Sequence, residues 1–193
     1  MNYLWDNIFR RDNKKNDVRS ALRQNILFQD LSDREIRLLS ELVHIRRFHP
    51  GEPIFRQNEV GVGMYIILKG RVEIFVSSTE TPGDPHRDIF ITQLIEGDFF
   101  GELSLVEENG RRTATAVARD DCSLIGFFKP DLIEVLSRNP SAGTKIVMRL
   151  AEVLGRRLKE TTDKVSELRR ALKELRDLPI LETIDGTKTT SST

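Results

Sequence analysis

The spacing of apolar positions changes twice along the chain, from helical to alternating and back to helical. Met1, Leu4, Trp5 and Ile8 share one helical face with Phe9 beside it, and Arg10, Arg11, Lys14 and Lys15 follow. Such a face could lie on a membrane surface or in a partner's groove. It is expected to pack on its own domain, because one short segment binds membranes only marginally. Asp12 to Asp17 breaks the pattern. Helical spacing resumes at Val18 through Leu22, Ile26 and Leu27, and Ser32 with Glu35 forms a capping box for a helix carrying Ile36, Leu39 and Val43.

From Ile45 to Phe128 the period shortens to that of strands. Pro50-Gly51 turns the chain before Pro53–Arg56, Met64–Leu68 is an apolar strand, and Gly70 opens the turn into Val72–Val76. Ser77–Asp88, with Pro82-Gly83 and Pro85, reads as a hairpin tip, and Ile89–Leu94 returns. Gly97-Asp98 then turns the chain, an exit strand alternates Thr113, Thr115 and Val117, and Cys122–Phe128 closes the set. Arg119, Asp120 and Asp121 make a solvated polar turn.

Helical spacing returns at Pro130 and runs to Ser137, where Asn139-Pro140 ends it. A long helix follows from about Gly143 to Asp177. Ala151, Leu154, Leu158, Thr161, Val165, Leu168, Leu172 and Leu175 recur in it at alternating steps of three and four, the heptad pattern of a coiled coil. The fold class predicted is α+β: an antiparallel β-roll or jelly roll, flanked by N-terminal helices and followed by a long C-terminal coiled-coil helix. The organisation expected is an N-terminal amphipathic segment over 1–17, a β-roll domain over 18–142, a dimerisation helix over 143–178 and a disordered tail over 179–193.

Composition narrows the function classes. The 193 residues carry 30 Lys plus Arg against 30 Asp plus Glu, which removes any global attraction to nucleic acid or acidic lipid. A lone cysteine, Cys122, cannot build a disulfide framework and points to a reducing, cytoplasmic compartment. No apolar run approaches ~20 residues and no secretory leader is visible, so a soluble protein is expected. His44 and His49 flank the first strand without zinc-like ligand spacing, and no metal is expected. Nucleophile elbow, Walker loop and zinc signatures are all missing, so no catalytic residue is assigned and the protein is not expected to be an enzyme.

The stretch that carries chemistry is FFGELSLVEENGRRTATAVA, Phe99 to Ala118. Gly101 lets the backbone approach a bulky ligand, and Glu102, Leu103, Ser104 and Leu105 can form a helical turn whose N–H groups face an anion. Ten positions beyond Glu102, Arg112 offers a planar fork of donors for two phosphate oxygens, with the Thr113 hydroxyl beside it. Glu102 is an acceptor only, suited to a sugar hydroxyl rather than a phosphate. An anion and a sugar held by one short segment suggest a nucleotide monophosphate.

That segment resembles the phosphate-binding cassette of the cyclic nucleotide-binding domain family. The likeness extends upstream to FHPGEPIFRQNEVGVGMYIILKGRVEIF (Phe48 to Phe75), similar to the family's first strands. It extends downstream to MRLAEVLGRRLKETTDKV (Met148 to Val165), similar to the long helix of activator-type members. It implies that Glu102 binds the ribose 2′-OH, that Arg112 binds the exocyclic phosphate oxygens, and that the Ser104 backbone N–H and Thr113 complete the cradle with Gly101 and Leu103. Thr161 and Thr162 then fall where the long helices meet the base, one from each subunit of a dimer. Threonine hydroxyls can accept from adenine's amine or donate to guanine's carbonyl, so the side chains do not choose the base. The resemblance favours cyclic AMP as the regulatory ligand over cyclic GMP.

Two partners follow. The heptads predict a homodimer through the C-terminal helix. Their flanking positions hold Arg157, Lys164, Arg169 and Arg176, and a parallel pair would set Lys164 against Arg169 of the other chain, an exposed repulsion of under ~1 kcal/mol. The same basic rims suit an acidic protein partner at the distal end. Activator-type members continue into a winged helix-turn-helix, for which no room is expected after Asp177, so no nucleic acid partner is expected. The expectation is a cyclic-nucleotide sensor that signals to a protein; a DNA-binding regulator or a nucleotide-silent structural dimer are the alternatives.

Overall fold

The computed structural model describes residues 16–78 and 87–176. The N-terminal amphipathic segment over 1–15, the tip of the hairpin over 79–86 and the tail over 177–193 lie outside the described residues. The chain divides into two compact units, one through Glu152 and one from Val153.

The first unit opens with helix α1 over residues 16–24, which buries Val18 and Leu22, and continues to Leu27 and Phe28, also buried. Helix α2 (Asp33–Leu42) begins at the expected capping box: the Ser32 hydroxyl accepts from the Glu35 N–H at 3.4 Å, and the Glu35 carboxylate accepts from the Ser32 N–H at 2.6 Å. Val43, expected on the helix, is its extended C-cap instead.

Among the described residues, eight strands form two four-stranded antiparallel sheets. They are β1 (His44–Phe48), β2 (Pro53–Phe55), β3 (Gly63–Lys69), β4 (Val72–Ser78), β5 (Arg87–Leu94), β6 (Phe99–Phe100), β7 (Thr115–Ala118) and β8 (Cys122–Phe128). One sheet has the order β1-β8-β3-β6 and the other β2-β7-β4-β5, and together they make the jelly-roll-like β-roll. The continuous apolar run of β3 reflects burial on both faces. Ile67, Val72, Phe100, Ala116, Ala118, Cys122 and Leu124 make the roll's interior. On the other side Phe28 meets Phe127 edge to face, ring centroids 5.8 Å apart. The edge strand β5 leaves Ile89, Phe90 and Ile91 about half exposed.

Helix α3 (Leu103–Val106) is one turn between β6 and β7, and α4 (Lys129–Arg138) follows β8. Helix α5 runs from Pro140 to Arg176, starting three residues before the predicted Gly143. Pro140 is compatible with a helix's first turn, and the Asn139 side chain accepts from the Ala142 N–H at 3.1 Å, so Asn139-Pro140 begins this helix as well as ending α4. Two ion pairs fasten the start of α5 to the N-terminal helices. Arg149 Nη2 donates to Asp30 at 2.9 Å, and Lys145 Nζ donates to both Glu35 oxygens at 2.9 and 3.1 Å. Burial raises the pKa of Glu35, but hydrogen bonds from Lys145 and Ser32 outweigh it and hold the carboxyl below its ordinary value.

In the second unit the remainder of α5 exposes Leu158, Val165, Leu168, Leu172 and Leu175 along the heptad positions, four of the five at 63% or more. Among the described residues, no helix is long and apolar enough to cross a membrane.

Candidate functional site

The loop that carries Arg112 is clamped to the loop after β2 by its backbone. Arg112 N–H donates to the Glu59 carbonyl at 2.8 Å, the Arg112 carbonyl accepts from Asn58 N–H at 2.9 Å, and Gly61 N–H donates to the Gly110 carbonyl at 2.9 Å. With an isolated bridge between Val60 and Arg111, these bonds fix the Cα from which the guanidinium enters the roll.

There the side chain is 6% exposed. Arg112 Nη1 donates to the Gly101 carbonyl at 3.1 Å and to Ser104 Oγ at 3.0 Å, and the guanidinium carbon lies 4.0 Å from the Phe55 ring centroid. Phe55 in turn stacks on Tyr65 and tilts against Phe100, at centroid distances of 6.3 and 5.7 Å. Nε is buried with no hydrogen-bond partner. Burial pushes the guanidinium below its ordinary pKa, opposed by its electrostatic interactions with Tyr65, Glu59 and Glu102. Since the Nη1 partners are neutral and Nε is orphaned, the site is a cation short of acceptors. An unmet buried donor costs about 1–3 kcal/mol, more on a charged group, and an arriving anion would recover it.

Gly101 supplies the turn. Its φ of +77° belongs to the left-handed region, and a Cβ there would stand 2.5 Å from Arg112 Nη1, so a side chain would strain the backbone and displace the guanidinium. Its carbonyl accepts from Ser104 N–H at 3.3 Å as well as from Arg112. The Ser104 N–H, expected to face a phosphate, is thus engaged within the turn by a long bond. Glu102, 6% exposed, takes the N-cap position of α3 with helical φ and ψ.

Of the predicted site residues, Gly101, Glu102, Leu103, Ser104 and Arg112 are brought to one corner of the roll. Thr113 follows Arg112 on an exposed bend, outside the strand that was expected to include it. Thr161 and Thr162 are exposed in the second unit, where their hydroxyls donate to the Arg157 and Leu158 carbonyls at 2.8 and 2.9 Å. His44 lies 3.5 Å from Asp131 and against the Phe128 ring, and exposed His49 lies 3.2 Å from Asp121.

Three contributors were not foreseen: Phe55, Tyr65 and Gly61. A Cβ at Gly61 would overlap Ser104 Oγ and stand 3.1 Å from Arg112 Nε. The Gly-x-Gly at 61 and 63 was the available signal, since paired glycines before an apolar strand mark close backbone approach.

The β-roll thus brings a glycine turn, a buried carboxylate and a buried arginine to one corner. Residues 45–139 match the family described as the cyclic nucleotide-binding domain, and the chain carries a domain of that family, of the catabolite-activator type. The chain is 34% identical over 134 residues to the cyclic AMP receptor protein of Thermus thermophilus, an overlap covering 69% of this chain and 57% of that one. It is 30% identical over 125 residues to the cAMP-activated global transcriptional regulator CRP of Salmonella typhimurium, covering 65% and 55%. The crystal structure of the Thermus thermophilus catabolite activator protein superposes with a TM-score of 0.65 at 30% identity, covering 75% of this chain and 63% of that one. The chain thus spans a little over half the length of the curated relatives it matches.

Proposed function

We propose that this protein is a cytoplasmic cyclic-nucleotide sensor, with cyclic AMP as its ligand, that passes occupancy along α5 to a protein partner. The observation that carries the reading is the buried Arg112 guanidinium, held by neutral partners with Nε unmet, beside a glycine-only turn. Arg112 would hold the exocyclic phosphate oxygens with Thr113 beside it, and the Gly101 turn with Leu103 and Ser104 would close around them. Glu102 would accept from the ribose 2′-OH. Thr161 and Thr162 would meet the base. Relatives named as cyclic AMP receptors favour adenine, whose exocyclic amine suits hydroxyl acceptors.

The exposed heptad positions favour a parallel homodimer, since four apolar layers outweigh the rim repulsion of Lys164 and Arg169. The helix from Arg156 to Arg176 mixes its basic residues with Glu160, Asp163, Glu167 and Glu174, a solvated face rather than a phosphate-tracking stripe. Its basic rims favour an acidic protein as the output of this segment. For ligand to act as a signal, its affinity must differ between two placements of α5. Competition of cyclic AMP and cyclic GMP against a fluorescent cyclic nucleotide, with sedimentation run on the free and saturated protein, tests the reading. Tighter binding of cyclic AMP by a dimer supports it. A monomer at micromolar concentration removes the dimer, and cyclic GMP binding more tightly removes the choice of base.

A further inference from the structure

Asn109 is the one asparagine of the chain that glycine follows. It lies exposed on the loop between α3 and β7, three residues before Arg112, with a φ of +56°. Asparagine tolerates that left-handed backbone better than most residues. Neither its side-chain amide nor the Gly110 N–H makes a hydrogen bond among the described residues. A free backbone nitrogen, on a residue with no side chain, thus follows an open amide carbon. The chain carries its own comparison in Asn58, which also has a positive φ, +70°. There the next residue is Glu59, which has a side chain beside its nitrogen and whose N–H donates to the Arg56 carbonyl at 3.2 Å. Asn25 is buried and its side-chain oxygen accepts from the Leu27 N–H at 3.1 Å, while Asn139 precedes proline, which has no N–H.

We propose that Asn109-Gly110 is a self-modifying site whose conversion loosens the loop that places Arg112. The Gly110 nitrogen, its proton passing to solvent base, attacks Asn109 Cγ; the bond from Cγ to the amide nitrogen breaks, and ammonia leaves with a proton from solvent. The five-membered succinimide that results takes up water at either carbonyl and opens to aspartate or to isoaspartate. Amide and water become acid and ammonia, with no oxidant or reductant. Both products add a negative charge two residues from Arg111 and three from Arg112. In isoaspartate the main chain also runs through the former side-chain carbon and is one atom longer, immediately before the clamp. There the Gly110 carbonyl accepts from the Gly61 N–H at 2.9 Å, Arg111 bridges Val60, and the Arg112 N–H reaches the Glu59 carbonyl at 2.8 Å. A longer chain shifts these bonds out of register, and the guanidinium holds an anion less well. The modification stands without the cyclic-nucleotide reading; its effect on ligand rests on that reading.

The test ages the full chain for days at mildly alkaline pH, maps it by peptide mass spectrometry, and separates converted from unconverted protein by ion exchange. The expected map shows amide-to-acid conversion at Asn109, faster as hydroxide rises and far ahead of Asn58, with aspartate and isoaspartate both present. Ageing in heavy-oxygen water should place one heavy oxygen in each converted residue. The isoaspartate fraction should melt several degrees below fresh protein and bind cyclic AMP about two- to tenfold less tightly, the cost of one lost clamp bond. Asn109→Gly, which suits the positive φ and removes the amide, should age with no change in melting or binding. Conversion at Asn109 no faster than at Asn58 overturns the proposal. So does an isoaspartate fraction that melts as fresh protein does, or that binds cyclic AMP equally well. If fresh protein binds no cyclic AMP, the nucleotide reading fails by itself, and the map and the melt still decide this proposal.

Discussion

Gly101→Ala separates backbone strain from crowding at the site, because the chain contains its own control. Gly51 has a φ of +79°, nearly that of Gly101 at +77°, yet a Cβ at Gly51 would have no heavy atom within 4 Å. Alanine at Gly51 therefore pays only for the left-handed backbone, about 1–2 kcal/mol. Alanine at Gly101 meets Arg112 Nη1 at 2.5 Å, the Gly63 carbonyl at 3.3 Å and Phe55 Cε1 at 3.4 Å. Moving Nη1 away breaks its bonds to Gly101 and Ser104, at roughly 1.5–3 kcal/mol each for bonds to a charged group, so the total is about 4–8 kcal/mol. For a chain of this size each kcal/mol lowers the melting temperature by about 2–4 °C. Thermal melts by circular dichroism should place Gly101→Ala several degrees below Gly51→Ala. In an Arg112→Ala background the two glycine variants should cost nearly the same. Equal melting temperatures for the two single variants would refute the crowding argument and the position assigned to the guanidinium.

Other consequences can be measured directly. Gly63→Ala sets a Cβ 2.6 Å from Phe128 Cα and overlaps the Phe127 carbonyl, both backbone atoms of the paired strand, so a loss of more than ~3 kcal/mol, or no folded protein, is expected in a denaturant titration. Because the Glu35 carboxyl is held below its ordinary value, its ionised form binds Lys145 and Ser32 at neutral pH. That stabilisation is present above the unfolded carboxyl's pKa and is lost as pH falls through the lower folded value, from about pH 4 downward. Glu35→Gln should then melt lower than the unaltered protein at pH 7, with the gap closing in acid. Leu172→Asp, at an exposed heptad position, should shift the protein to a monomer in sedimentation without lowering the melting temperature of the β-roll unit.

How much of this was legible beforehand depends on the range of each interaction. The Ser32–Glu35 box, the strand β8 over Cys122–Phe128 and the heptads of α5 rest on neighbours within a few positions, and the chain's local pattern reveals them. The meeting of Arg112 with Gly101 and Ser104 is legible because these residues lie within a dozen positions of one another. What holds Arg112 is not, since Phe55 and Gly61 come to it from β2 and the loop after it, far earlier in the chain, and no periodicity reports which loop will clamp which. The ion pairs joining Asp30 to Arg149 and Glu35 to Lys145 span more than a hundred residues and were equally silent. The sequence pattern starts α5 too late because Asn139-Pro140 reads equally well as a stop and as a start. Thr113 alternates with Thr115 as a strand residue would, but the clamp on Arg112 holds Thr113 out of the ladder.

The guanidinium of Arg112 is buried and short of acceptors, and in the proposed function a cyclic phosphodiester completes it. Calorimetric titration of cyclic AMP into the unaltered protein and into Arg112→Ala tests it most directly. Heat of binding in the first and none in the second, with both proteins folded, is the predicted result. Comparable affinity in the two proteins would contradict it.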